Sequence, residues 1–530
     1  MEVILIKNGC IIDGTGNPWF KADIMVKDGR IISVGRRVHQ REACKIVHAD
    51  GLVVSPGFID IHNHGDLDIL KFPMAENLVR QGVTTAVFGN CGTSPAPVNS
   101  RVKELLGDEA EQLEWTDFAG FLQRIETTGI AVNVASLVGH GTIRAAVMGM
   151  DDRSPAMEEL AAMQELLYQS LRDGAFGMSL GLLYPPGAYS ELHELVELAK
   201  VVAELGGILA THIRNESDAL LEAISEVLKI AEEAKVPLEI SHLKASGKMN
   251  WGKVSAALRL IEEAREKGIE VTCDVYPYTA GGLDLTALLP SWALVGGSGE
   301  MLQRLKDSEM RHAIIKDIEQ GMFAGDNFIK SIGWENIVIS ESPTHREYEG
   351  KSFATLAEET GRDPYEIMFD LLISDEGKTA LITFEMSEKD VTQVLSHPLS
   401  IIGSDGEVQN VNCREKPHPR TYGAFARVFA QYVREGILRP EEAVRKMSSF
   451  PAQKLGLTDR GLIAEGMRAD LVIFDLEKLQ DEATYEEPQR YAEGVKYVFV
   501  NGEPVIENGI ITGLTPGQVL RKDNSNHKEA

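Results

Sequence analysis

Ser55-Pro-Gly-Phe-Ile-Asp-Ile-His62-Asn63-His64-Gly65-Asp66 joins a short apolar run to two histidines two residues apart, with glycine on either side. Side chains of an extended strand alternate, so His62 and His64 face the same way and can converge on one ion. A chance pairing of two histidines at a strand end is the plain alternative. The company further along the chain weighs against it: Cys91, His212, His242 and Asp405 each end a strand-like run.

Working outward, eight such runs alternate with amphipathic helix patterns. They are 57–62, 84–89, 131–138, 175–179, 208–212, 238–242, 269–273 and 399–403. Helix patterns cover 154–172, 190–205, 217–234 and 253–267, several opening on a serine suited to N-capping, with Pro155 at the first helical position of one. Eight strands with helical crossovers predict an α/β chain built on a parallel (β/α)₈ barrel. Catalytic groups in such barrels sit at the C-terminal ends of the strands, which is where these His, Cys and Asp residues fall.

The two ends of the chain read differently. Short strands fill residues 1–55, with Asn8-Gly9 and Asp28-Gly29 as hairpin-turn dipeptides, and the same style returns at 470–474, 495–500 and 502–506 around Asn501-Gly502. The termini are therefore expected to build one small β-sandwich together. Residues 56–425 would form the barrel, and 426–530 its last helices, the second part of the sandwich and a polar, disordered tail from Arg521. A Gly-rich and then charged interval, about 283–348, interrupts the barrel. It reads either as a lid over the site or as a surface insertion with no catalytic part.

Composition bounds the function. With 530 residues, 43% of them hydrophobic, the chain can bury a large core. No charged-then-apolar leader and no membrane-length apolar run is visible, and a net charge of −27 repels nucleic acid and anionic lipid. The five cysteines (Cys10, Cys44, Cys91, Cys273, Cys413) are odd in number and never spaced as C-x-x-C, which fits a reducing, cytoplasmic setting. A small-molecule substrate is the partner this leaves; oligomeric state is not readable.

Thiolate and imidazole are good zinc ligands, and a catalytic zinc keeps one position open for water. Asp405, in Gly403-Ser-Asp-Gly406, is a carboxylate that could take a proton from that water and pass it to a leaving nitrogen.

The set Pro56-Gly-Phe-Ile-Asp-Ile-His62-x-His64, His212, His242 and Gly403-Ser-Asp405-Gly resembles the amidohydrolase superfamily. Within it, Gly89-Asn-Cys91-Gly92, Gly181-Leu-Leu-Tyr184-Pro-Pro-Gly-Ala188, Thr211-His-Ile-Arg214, Ile240-Ser-His-Leu-Lys244, Asp274-Val-Tyr276-Pro-Tyr278 and His418-Pro-Arg420 resemble the N-acyl-D-amino-acid deacylases, or D-aminoacylases. The resemblance runs over nearly the whole chain. It implies that Cys91, His212 and His242 hold a tightly bound zinc, and that His62, His64 and Asp405 line a second, weak or empty position. Dihydroorotases and hydantoinases bridge two metals with a carboxylated lysine. No lysine stands near 175–180 here, and Cys91 takes its place.

The reaction implied is zinc-dependent hydrolysis of N-acyl-D-amino acids, L,D-dipeptides included, with Asp405 as base. Lys244, Arg420, Tyr184, Tyr276 and Tyr278 match the family's positions for gripping the substrate carboxylate, for which Arg is well suited. Each has a plainer alternative: a solvated lysine, a structural ion pair, packed tyrosines. His140 either bonds the carbonyl oxygen or stands behind the ligands. The apolar run 288–295, taken to face the pocket, favours hydrophobic D-side chains. Two other readings remain: a cyclic-amide hydrolase, which would not need the carboxylate cradle, and a non-enzymatic scaffold of the same fold.

Overall fold

The structure, a computed structural model, describes residues 3–38, 45–107, 110, 113–321 and 325–522. Cys44 and most of the polar tail lie outside the described residues.

The barrel strands are β1 (Phe58–Asp60), β2 (Val83–Phe88), β3 (Asn133–Ser136, continued by Val138–Gly139), β4 (Gly177–Gly181), β5 (Ile208–His212), β6 (Leu238–Ile240), β7 (Val271–Val275) and β8 (Ser400–Ile402). Neighbours pair in parallel from β1 through β8. The ring is closed just beyond the strand ends, where Asp405 N–H donates to His62 O at 2.8 Å and His64 N–H to Gly406 O at 2.7 Å. Closure thus falls on the residues that carry the chemistry. Every side chain of β1 to β8 is buried, as expected of strands covered by helices outside and packed side chains within.

The helices begin later than their serines suggest. The first runs Met157–Arg172 with Ala156 at its N-cap, its N–H bound 2.8 Å from Glu159 Oε2, so Ser154 and Pro155 lie outside it. The next two span Leu192–Glu204 and Leu220–Ala234. Their serines are used elsewhere: Ser190 Oγ donates to Gly187 O, and Ser217 Oγ to Asp326. Local side-chain bonds have outcompeted the capping role.

The ends of the chain meet where Val53–Pro56 pairs antiparallel with Leu471–Phe474. These strands form one nine-stranded sheet, eight of them along a single hydrogen-bonded path and Lys45–His48 pairing off it. Asn8-Gly9 is not a hairpin turn. It lies inside a single strand, Ile4–Ile11, as a bulge with Asn8 at φ 60°. The bulge lets this strand pair first with Lys45–His48 and then with Val53–Pro56. Asp28-Gly29 and Asn501-Gly502 do make tight turns, both residues of each at positive φ as a type I′ turn requires.

The insertion between β7 and β8 has its own antiparallel sheet (Ala280–Asp284, Ile337–Glu341, Ala380–Phe384) and its own apolar core, running from Leu285 to Leu381. It therefore extends past the 283–348 interval marked by composition. No described helix is long and apolar enough to cross a membrane.

Candidate metal centre and active site

The turns after the strands aim the donors. Cys91 follows β2 at φ 51°, between Gly89 at φ 74° and Gly92 at φ 81°. A Cβ on Gly89 would strike the Leu137 carbonyl, and one on Gly92 would stand 2.5 Å from Gly181 N, so both glycines are dictated by close backbone approach. His242 and Asp405 also hold positive φ, 37° and 51°. Three non-glycine residues in the left-handed region, each costing on the order of 1–3 kcal/mol, are held by the surrounding structure at one site. Strain of this kind marks positions where function outranks local stability.

Cys91, His212 and His242 bring their donor atoms within 4.8 Å of one another, as do His62, His64 and Cys91, and likewise His62, His242 and Asp405. Cys91 Sγ lies 3.3 Å from His62 Nε2 and 3.5 Å from His242 Nε2, while Asp405 Oδ1 is 3.0 Å from His64 Nε2 and 3.3 Å from His62 Nε2. Among the described residues, both ring nitrogens of buried His212 lack a hydrogen-bond partner. An orphaned imidazole facing a thiol and a second imidazole fits a zinc ion and is costly without one. Burial opposes ionisation of Cys91, but charge on His62 and His242 draws its thiol well below the usual range. The thiol is thus drawn towards thiolate, the form in which sulfur binds a cation.

Carboxylates behind the ring orient it. His62 Nδ1 lies 3.2 Å from Asp274 Oδ1, and Asp274 also accepts His242 N–H at 2.8 Å. Asp60 accepts Ser404 N–H at 2.8 Å and Ser404 Oγ–H at 2.6 Å, fixing the turn that carries Asp405. Burial pushes the Asp60 carboxyl up to about 6. The Asp405 carboxyl is disfavoured as an anion by burial, yet Arg420 and His62 hold it well below the usual carboxylate range.

Of the residues expected to bind substrate, Arg420 and Tyr276 stand together at the ring. The guanidinium is 4.7 Å over the Tyr276 ring, its Nε without a partner among the described residues. His418 sets the Arg420 turn: its Nδ1 accepts Arg420 N–H at 3.0 Å, so its Nε2 donates to Ala280 O at 3.0 Å. Tyr184 packs edge-on to His212, centroids 4.9 Å apart.

The other three have protein partners of their own. Lys244 Nζ is bound to both oxygens of Glu216, at 2.7 and 2.6 Å. Tyr278 lies under the Arg427 guanidinium and its hydroxyl donates to Pro419 O at 3.4 Å, which makes it a packing residue. His140 Nε2 is 2.8 Å from Glu194 Oε1, and its Nδ1 lies beside Gly187. The run 288–295 also differs from expectation. Leu288, Leu289 and Ala293 are buried in the insertion's core, and Trp292 Nε1–H donates to Asp317, so it offers no apolar wall that would favour hydrophobic side chains.

Glu216 and the Glu194–Arg144 pair escaped the sequence. Glu216, in Asn215-Glu-Ser217 four residues after His212, carried as its only signal an acidic residue close behind a ligand. Asp274 stood in a quoted motif, but strand alternation alone does not tell which histidine it meets.

An amidohydrolase family model matches residues 45–287 and 332–506, its gap falling within the insertion. A D-aminoacylase from Alcaligenes xylosoxydans xylosoxydans is 35% identical over 98% of this chain and 97% of its own length. An N-acyl-D-glutamate deacylase from the same organism is 34% identical over 98% of this chain and 97% of its own. The crystal structure of an N-acyl-D-glutamate deacylase from Bordetella bronchiseptica, complexed with zinc and a phosphonate inhibitor mimicking the tetrahedral intermediate, matches with a TM-score of 0.82 at 34% identity. That match covers 98% of this chain and 99% of the other. By matched length, identity and fold together, the chain belongs to the amidohydrolase family, among its N-acyl-D-amino-acid deacylases.

Proposed function

We propose that this chain is a zinc-dependent hydrolase that cleaves the amide of N-acyl-D-amino acids to a carboxylate and a free D-amino acid. The observation that carries the reading is the pairing of a base with an anion anchor. Asp405 faces the donor ring on one oxygen and has Arg420 2.7 Å from the other.

Cys91, His212 and His242 would hold the zinc, with His62, His64 and Asp405 beside a second position. Zinc bound there supplies a Lewis acid for the acyl carbonyl and brings the pKa of its water towards ~7. Asp405 Oδ1 accepts the proton of the attacking water and returns it to the departing nitrogen. Arg420 receives the α-carboxylate, so the scissile amide lies within reach of Asp405. Tyr276 and Tyr184 close the walls of this cradle. Names of the relatives, each given for a D-substrate, support the D-configuration.

The test is amine release from paired N-acetyl-D- and N-acetyl-L-amino acids, with hydantoin and dihydrouracil beside them and zinc quantified in the same sample. Release from D-substrates by zinc-loaded protein is expected. Turnover of the cyclic amides alone would move the activity to that branch, and a metal-free, inert protein would leave a scaffold.

A further inference from the structure

Glu216 is almost fully buried behind the donor ring, in a loop with no regular structure. One of its oxygens is 3.1 Å from His242 Nδ1, the other 3.8 Å from His212 Nε2, and both bind Lys244. Two of the three expected ligands of the tight site thus converge on one carboxylate. We infer that Glu216 is a positioning residue for that site, and that Asp326, contributed by the insertion, holds Glu216 in place; the inference rests on the zinc deacylase reading.

Proton inventory supports the first part. His242 turns Nε2 towards Cys91, so a cation bound there requires the ring proton on Nδ1, and that N–H needs an acceptor. Lys244 Nζ is 2.9 Å from the same Nδ1, but an ammonium has only donors to offer. Glu216 is the acceptor, taking Nδ1–H and the lysine protons together. Lys244 in turn balances the carboxylate charge, so that Glu216 is not left as an uncompensated buried anion beside the ring. A histidine ligand backed by a carboxylate binds its metal more tightly because tautomer and ring orientation are fixed before the ion arrives.

Hydrogen bonds from the insertion support the second part. Glu216 N–H donates to both oxygens of Asp326, at 3.0 and 2.9 Å, and Ser217 Oγ–H donates to Asp326 Oδ1 at 2.5 Å. Asn215 Nδ2–H donates to Gly325 O at 2.7 Å. Asn215, Glu216 and Ser217 are all pinned by two consecutive residues of the insertion. Since the insertion has a core of its own, this contact is a docking point between two bodies, and it falls on the residue behind the metal ligands. The insertion then contributes to metal affinity without touching the metal.

The experiment measures zinc affinity of chelator-stripped, full-length protein by competition with a chromophoric chelator, and records the thiolate-to-metal band after cobalt loading. Wild type, Glu216→Gln, Glu216→Asp and Asp326→Asn are compared, with melting of each apo form. Replacing the carboxylate by a neutral amide, or withdrawing it in Glu216→Asp, is expected to raise the zinc Kd about 10–100-fold and to shift the cobalt band, while apo melting registers separately the cost of leaving Lys244 buried without its full counter-charge. Asp326→Asn, which alters no side chain at the ring, is expected to raise Kd by a smaller factor. If Glu216→Gln fails to fold, Glu216→Asp decides by the same criterion. Wild-type affinity in a folded Glu216 variant overturns the role of Glu216, and wild-type affinity in Asp326→Asn overturns that of the insertion. A wild-type protein that binds no zinc overturns instead the deacylase reading beneath both.

Discussion

Arg420 stands 2.7 Å from Asp405 Oδ2, so the charge that would anchor the substrate also keeps the base ionised. Replacing Arg420 with Met should therefore do two things. Loss of a charge-assisted anchor should lower kcat/KM for N-acyl-D-amino acids about 10–100-fold, mainly through KM. Loss of the neighbouring cation should also let the Asp405 carboxyl rise. Because the base works ionised, the acid limb of the kcat profile should move to higher pH. A variant with wild-type KM and an unmoved acid limb would deny both roles, and the KM of a cyclic substrate should be indifferent to the change.

Asp405→Asn removes the proton acceptor and leaves Cys91, His212 and His242 untouched. The expected outcome is a loss of about 10²–10⁴ in kcat, the range general-base catalysis supplies, with zinc content preserved. Rate and zinc are to be measured on the same preparation. Residual activity within tenfold of wild type would assign the base elsewhere.

Much of this site was legible because the barrel's geometry constrains it. The convergence of His62, His64, Cys91, His212, His242 and Asp405 follows from where barrel loops gather, although β1 ends at Asp60, before the two histidines that strand alternation would place on one face. Partners across the barrel were less legible. Glu216 and Asp274 meet their histidines through loop conformations, and the positive φ of Cys91, His242 and Asp405 leaves no mark on residues that are not glycine. The serine caps were misplaced because Ser190 and Ser217 bond within their loops. The run 288–295 looked like a pocket wall because an insertion's private core has the same composition as one.

Chelation and Cys91→Ser probe the tight site directly. A hydroxyl has little tendency to ionise beside zinc, whereas the surrounding histidines already draw the Cys91 thiol well down against its burial. Chelated wild type should lose amine release and regain it with zinc. The serine variant should bind zinc at least tenfold more weakly, read by chelator competition, and a serine variant with wild-type affinity would remove Cys91 from the ligand set.

A buried pair outside the ring sets the last expectation. Arg144 is fully buried and its Nε–H donates to Glu194 Oε1 and Oε2 at 3.2 and 3.4 Å, while His140 shares the same carboxylate. Burial raises the Glu194 carboxyl, but His140 and Arg144 outweigh it and hold the folded state below the usual value of 4.5. A carboxyl depressed on folding stabilises the protein above its unfolded pKa, and that stability drains away as pH falls through the folded value. Melting temperature should thus fall below about pH 4.5, more steeply in wild type than in Glu194→Gln. At neutral pH, Glu194→Ala would leave Arg144 buried without a counter-charge and should cost about 3–5 kcal/mol. Because His140 and the Gly181–Gly187 turn rest on this pair, the same variant should also raise KM by freeing Tyr184. Parallel acid melting of wild type and Glu194→Gln, or an unchanged KM in Glu194→Ala, would confine the pair to a role remote from the site.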